Sequence, residues 1–161
     1  MNSPFTLEQE QWVPQPLDEI FKFFSDAKNL EALTPSWMGF HILTPQPIEI
    51  AAGTVIDYRL GWHGIPLRWK TEIAVWEPPV CFVDLQLKGP YRLWRHTHRF
   101  QAAAGGTQIL DSLEYSLPFG ILGRLVHALS VRKNVEEIFE YRRQRICDLF
   151  GSAGKTGTRL L

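Results

Sequence analysis

Apolar and polar residues alternate with a period of two over most of this chain, and apart from a short stretch after Pro16 the period lengthens to that of a helix after Pro118. From Phe5 to Val13 the residues Phe5, Leu7 and Val13 fall on one side and Thr6, Glu8 and Glu10 on the other, the pattern of a half-buried strand. Pro14 and Pro16 end it. Pro16 suits the first turn of a short helix with Leu17, Ile20, Phe21 and Phe24 on its apolar face and Asp18 and Glu19 at its positive end. Ser25-Asp26 breaks that helix, and residues 27–33 read as a second one, closed by Thr34-Pro35-Ser36. Six strand-like segments follow. The first is residues 40–43. The second, 53–62, places Ile56, Tyr58, Leu60 and Trp62 on one face; after a tight turn at 62–65 the third, 67–75, does the same with Leu67, Trp69, Thr71, Ile73 and Val75. In the fourth, Cys81, Val83, Leu85 and Leu87 oppose Asp84, Gln86 and Lys88. The fifth and sixth, 92–102 and 107–117, are joined through Gly105-Gly106, a hairpin signal.

Beyond Pro118, Leu122, Leu125, Leu129, Val135, Ile138, Phe139, Ile146 and Leu149 recur at helical spacing among Arg124, Arg132, Lys133, Glu136, Glu137, Glu140, Arg143 and Arg145. This predicts an amphipathic helix near residues 121–150, roughly 40 Å long. Its stripe must be buried, and the strands before it supply a curved antiparallel sheet as partner. The expected class is α+β: one strand, two short helices, six strands, one long helix. Residues 1–150 read as one domain and 151–161, rich in small residues and without apolar period, as a flexible C-terminal tail. Gly154-Lys155-Thr156 in that tail is not a phosphate loop, because Leu149 stands where the earlier glycine is needed and a helix precedes the site.

Composition narrows the function. A chain of 161 residues with no net formal charge has no basic excess that calls for nucleic acid or an anionic membrane surface. No apolar run reaches membrane-spanning length, so stable membrane insertion is not expected. The first residues, MNSPFTLEQEQW, do not read as a signal peptide, and Cys81 and Cys147 have no CxxC spacing; a reduced, cytoplasmic protein is expected. Six tryptophans point either to a generous core or to an aromatic-lined pocket.

Candidate chemistry concentrates in the last hairpin. Matching its apolar faces pairs Trp94 with Tyr115, His96 with Leu113, His98 with Asp111 and Phe100 with Ile109, and a slip of one residue would scatter the apolar set. A buried carboxylate needs a partner, and His98 is within reach of Asp111. Three readings stand side by side: a structural His98–Asp111 pair, the polar end of an apolar ligand pocket, or chemistry. The spacing of His96 and His98, with Asp111 as third ligand, resembles a metal arrangement in spacing only, so neither a metal nor another cofactor is assigned. His98 oriented by Asp111 has the makings of an acid/base, with Tyr115 or His96 as donor. No nucleophile motif is present.

The order of elements resembles the helix-grip fold of the START-like superfamily, in particular its small bacterial SRPBCC members. Residues 33–45 (LTPSWMGFHILTP), 64–79 (GIPLRWKTEIAVWEPP), 82–100 (FVDLQLKGPYRLWRHTHRF) and 117–129 (LPFGILGRLVHAL) carry the similarity, which spans about residues 3–150. That superfamily includes polyketide cyclase/dehydrase-type proteins, coenzyme Q-binding proteins and plant pathogenesis-related allergens, and similar domains occur fused to epimerase-like enzymes. The resemblance implies a seven-stranded sheet wrapped around the long helix, with a cavity between them. The leading expectation is therefore a binder of a small hydrophobic or amphipathic ligand: a polyketide-like aromatic, a quinone or a lipid. Its candidate contacts are Trp37 at the mouth, Tyr58, Trp62, Trp69, Leu85, Trp94 and Tyr115 on inner faces, the polar His96, His98 and Asp111, and Leu129 from the helix. The alternatives are a cyclase-, dehydratase- or isomerase-type enzyme using His98 and Asp111, or a non-catalytic interaction module.

Overall fold

Seven of the alternating segments pair into one sheet, in chain order except that the first lies beside the last. In this computed structural model, which describes residues 3–62, 64–151 and 157–160, the strands are β1 (Phe5–Val13), β2 (His41–Ile42), β3 (Val55–Trp62), β4 (Ile65–Glu77), β5 (Cys81–Lys88), β6 (Leu93–Ala103) and β7 (Gly106–Ser116). The antiparallel, curved sheet has the order β2-β3-β4-β5-β6-β7-β1. Helices α1 (Leu17–Phe24) and α2 (Ala27–Ala32) follow β1. Asp26 caps α2 by accepting from the Lys28 backbone N–H at 3.0 Å. Ile20 and Phe21 of α1 are buried with Val13, Phe82, Phe100, Ile109 and Ile146, each such side chain contributing about 1.5–3 kcal/mol by leaving water. This is the α+β helix-grip architecture that the pattern of elements predicts.

The β6–β7 hairpin has the expected register, with Trp94 opposite Tyr115, His96 opposite Leu113, His98 opposite Asp111 and Phe100 opposite Ile109. Two strands differ from expectation. In β4 the register shifts between Ile73 and Val75, so Trp76 takes the inward place expected of Val75 and packs on Phe21 at 5.2 Å. In β5 the inward residues are Phe82 and Asp84, because each lies directly across from an inward histidine of β6, His98 and His96.

The terminal helix runs for 31 residues in three joined pieces: α3 (Gly120–Val126), a π turn (His127–Val131) and α4 (Arg132–Phe150). The extra residue of the π turn displaces the helical stripe. The buried row becomes Gly123, His127, Val131, Val135, Phe139, Arg142 and Ile146. Leu122, Leu125, Leu129 and Leu149, which the 3.6-residue period places on the buried stripe, are exposed instead. Gly123 is required where it stands, since a Cβ there would lie 2.2 Å from the Pro118 carbonyl oxygen.

Residues 157–160, expected to belong to a flexible tail, form an eighth strand, β8 (Gly157–Leu160), antiparallel to residues 7–10 of β1. Backbone pairing along the β1 edge seats it, which needs no apolar period. The Gly154-Lys155-Thr156 run lies outside the described residues. No helix among the described residues is long and apolar enough to cross a membrane.

Candidate functional site

Between β3–β6 and the terminal helix the packing opens into a cavity of about 450 Å³. Its walls come from the inward positions of each strand, as the period of two requires: Ile56, Tyr58, Leu60 and Trp62 from β3, Leu67, Trp69 and Thr71 from β4, Trp94 and His96 from β6. Tyr91, Val126, Val131, Ile138 and Phe139 add to the apolar lining. The aromatic groups lock one another: Trp94 meets Trp69 edge-on at 5.2 Å, Tyr91 lies 4.6 Å from Trp94, and Tyr58 stacks near-parallel to Trp69 at 6.1 Å. Thr71 satisfies two of their polar tips. The Trp69 indole N–H donates to its hydroxyl at 3.0 Å, and the Tyr58 hydroxyl lies 3.0 Å from the same oxygen. Burial raises the Tyr58 phenol well above its ordinary value, so it stays neutral.

One end of the cavity is charged. Asp84, His96 and Arg142 reach its surface, and behind them stand His98 and Asp111, 1% and 3% exposed. His98 Nδ1 lies 2.6 Å from Asp111 Oδ1 and its Nε2 lies 3.1 Å from Asp84 Oδ2. A ring with a carboxylate at each nitrogen satisfies both only as an imidazolium that donates twice. Burial alone would lower the His98 pKa; the Asp111 charge and the hydrogen bonds to Asp111 and Asp84 outweigh it, and the pKa is raised. Burial likewise works against the Asp111 carboxylate, but the charges of Arg142 and His98 and its histidine partners hold it well below the usual range. Arg142 Nε sits 3.9 Å from Asp111 Oδ2, and its guanidinium lies over the Phe24 ring at 5.2 Å. Two carboxylates, one guanidinium and one imidazolium thus balance. His96 is the neutral member: burial, then the His98 charge, push it down to about 4. Its Nε2 is 3.2 Å from Asp111 Oδ1 without the alignment of a hydrogen bond.

Of the residues singled out from the sequence, Tyr58, Trp62, Trp69, Trp94 and His96 line the cavity. His98 and Asp111 form the layer behind its charged end. Tyr115 is fully buried, its hydroxyl 2.8 Å from His127 Nε2. Leu85 lies on the opposite face of β5 from Asp84, for the register reason given above. Leu129 is 76% exposed because of the π turn. Trp37 is exposed and packs edge-on against Tyr141 at 5.7 Å rather than over the cavity. Asp84 and Arg142 were missed. Arg142 is nevertheless spaced three residues after Phe139 and four before Ile146, which puts it on the buried row.

Ligand atoms of Asp84, His96 and His98 lie within 4.8 Å of one another, so Asp84 rather than Asp111 completes the triad that the histidine spacing suggests. A divalent cation there would have to displace a proton from His98 and sit beside the Arg142 guanidinium in a cluster whose charges already cancel. These residues do not fit a metal well. For acid/base chemistry, both ring nitrogens of His98 are occupied by carboxylates and the ring does not reach the main cavity. Asp84, His96 and Arg142 do face it, and Thr34, Thr71 and Asn134 are further polar residues of its lining.

Fold and cavity together define a helix-grip protein. Residues 13–139 match the family described as polyketide cyclase / dehydrase and lipid transport, and the chain belongs to that family. No curated protein matches it. Among solved structures it is similar to the TTHA0849 protein from Thermus thermophilus at 19% identity and a TM-score of 0.67, over 89% of this chain and 98% of that one. It is similar to ginseng major latex-like protein 151 from Panax ginseng at 13% identity and a TM-score of 0.56, over 84% and 97%. It also matches 28% of the nucleoside-diphosphate sugar epimerase from Corynebacterium glutamicum, with 88% of this chain covered, 20% identity and a TM-score of 0.63. At these identities the likeness is one of fold.

Proposed function

We propose that this protein binds a small hydrophobic or amphipathic molecule in the sheet–helix cavity, with a polyketide-like aromatic, a quinone or a lipid as the chemical classes that fit. The carrying observation is an apolar, aromatic-walled cavity of about 450 Å³ with Asp84, His96 and Arg142 together at one end, a volume within the usual range for small-molecule sites. An apolar body packs on Trp69, Trp94 and Leu60, and a polar end meets Arg142, His96 and Asp84. The family's description, which includes lipid transport, supports the same reading.

Trp62, Trp69 and Trp94 report directly on occupancy. Titration with fatty acids, naphthoquinones and hydroxyanthraquinones is expected to change tryptophan emission saturably for at least one class, and native mass spectrometry of the purified protein to show a mass adduct. Leu67→Trp narrows the cavity from a half-buried wall position. It is expected to weaken binding about tenfold or more, a loss of at least about 1.4 kcal/mol, while the fold stays intact. The reading fails if no adduct appears and no class moves the emission.

A further inference from the structure

The chain has no net formal charge, but its two ends differ sharply. In the antiparallel run β3 to β7, the β3–β4 turn, the β5–β6 connection and the β7–α3 connection fall at one end of the sheet. Residues 58–71, 85–110 and 115–135, which contain these connections, include no Asp or Glu. Arg68, Lys88, Arg92 and Arg124 are exposed there. Among the described residues none of the four takes part in an ion pair. Asp18, Glu19, Asp26 and Glu77 lie toward the other end, with α1, α2 and the β4–β5 turn.

The basic end is also the apolar one. Phe119 is 81% exposed and Ile121 86%, and Leu122, Leu125 and Ile65 are each more than half exposed. Phe119 has φ 70, a conformation unfavourable for a bulky side chain, and it holds the ring in water instead of the core. The cavity opens at the same place: Trp62, Phe119, Leu122 and Val126 line it while remaining exposed.

We propose that this end of the molecule docks peripherally on an anionic phospholipid bilayer, with Phe119, Ile121 and Leu125 in the headgroup–acyl boundary and Arg68, Lys88, Arg92 and Arg124 against lipid phosphates. Charge complementarity selects this occupant. Apolar side chains ringed by exposed cations match an anionic interface, and the first acids of α4, Glu136 and Glu137, are paired with Arg132 and Lys133. A second copy of the same face would bring like charges together across a two-fold contact. The docking goes beyond ligand binding and does not depend on what the cavity holds.

Vesicle flotation tests it, with phosphatidylcholine alone and with about 30% phosphatidylglycerol added. The protein is expected to float with the anionic vesicles only, and to be released at about 0.5 M salt. The Arg92→Glu, Arg124→Glu double variant is expected to bind those vesicles at least about tenfold more weakly. Ile121→Glu with Leu125→Glu, at exposed positions outside the cavity lining, is expected to abolish flotation while leaving thermal stability and the tryptophan titration unchanged. That last comparison separates failure of docking from failure of ligand binding. The proposal is overturned if the wild type ignores anionic vesicles, if it binds neutral ones equally, or if either double variant floats like wild type. A stable dimer by light scattering without vesicle binding would assign the patch to a protein interface instead.

Discussion

Asp111→Leu is expected to lower the melting temperature by roughly 6–20 °C. The carboxylate is almost wholly buried and faces His98, His96 and Arg142 at 2.6, 3.2 and 3.9 Å. Removing it leaves an imidazolium and a guanidinium in the interior with only Asp84 to balance them. Breaking a buried charge cluster in this way costs about 3–5 kcal/mol, and for a chain of this size each kcal/mol moves the midpoint by about 2–4 °C. Asp111→Asn keeps the shape and one acceptor oxygen but loses the charge, so its effect falls between wild type and the leucine variant. The decisive comparison is the triple change His98→Phe, Asp111→Leu, Arg142→Met. It removes the buried cations together with their anion and leaves Asp84 at the cavity surface, where it can stay hydrated. Most of the lost stability should return. If the single leucine variant melts within about 2 °C of wild type, the charge balance described above is not what holds this region. If the triple variant is as unstable as the single, packing and not charge explains the loss.

Stability is also expected to fall as the pH drops from about 6.5 toward 4, and His96 is the cause. Its pKa lies near 4 in the fold against an ordinary 6.5, so between those values the unfolded chain binds a proton that the folded one refuses. Stability therefore rises with pH across that window, by up to about 3 kcal/mol. His98 acts in the opposite sense. Its raised pKa gives a contribution fully present below 6.5 and lost as the pH climbs through its folded value. Asp111, held low, contributes above its ordinary 3.8 and loses that contribution only as the medium becomes more acidic still. Urea midpoints measured from about pH 4 to 9 should thus pass through a maximum near or just above 6.5. His96→Gln should flatten the limb between 4 and 6.5 and leave the alkaline decline in place. An unchanged acid limb in that variant would assign the slope to other groups.

Much of this arrangement was legible beforehand because one hairpin is so strongly patterned. Phe100, Ile109 and Leu113 cannot all reach the core in any register but the observed one, and that register brings His98 to Asp111. The same reasoning failed for β5. Cys81, Phe82 and Val83 are all buried, so the strand is apolar on both faces where it begins and a period of two has no phase there. Asp84 falls on the inner face there, and the usual cost of burying a carboxylate is offset by the His98 imidazolium. The π turn carries no marker in the residues themselves. His127, Ala128 and Leu129 suit an ordinary helix, and only the contact of Gly123 with the Pro118 carbonyl and the seat of His127 beneath Tyr115 show why the stripe shifts. Net charge concealed the contrast between the two ends of the molecule, because a sum over the chain has no direction in space.

The strand at residues 157–160 has a consequence for how the sheet stays solitary. Without it β1 would be an outermost strand nine residues long, whereas the opposite margin, β2, is only two residues long. A long bare margin is a template on which a second molecule can continue the ladder. The chain occupies the middle of that template itself, where Leu7 to Glu10 meet Leu160 to Gly157. Shortening the protein to the end of its amphipathic helix would keep every residue of the cavity and still uncover an adhesive edge. The β8 segment, with no side-chain pattern to advertise it, thereby leaves less of that edge open to another chain.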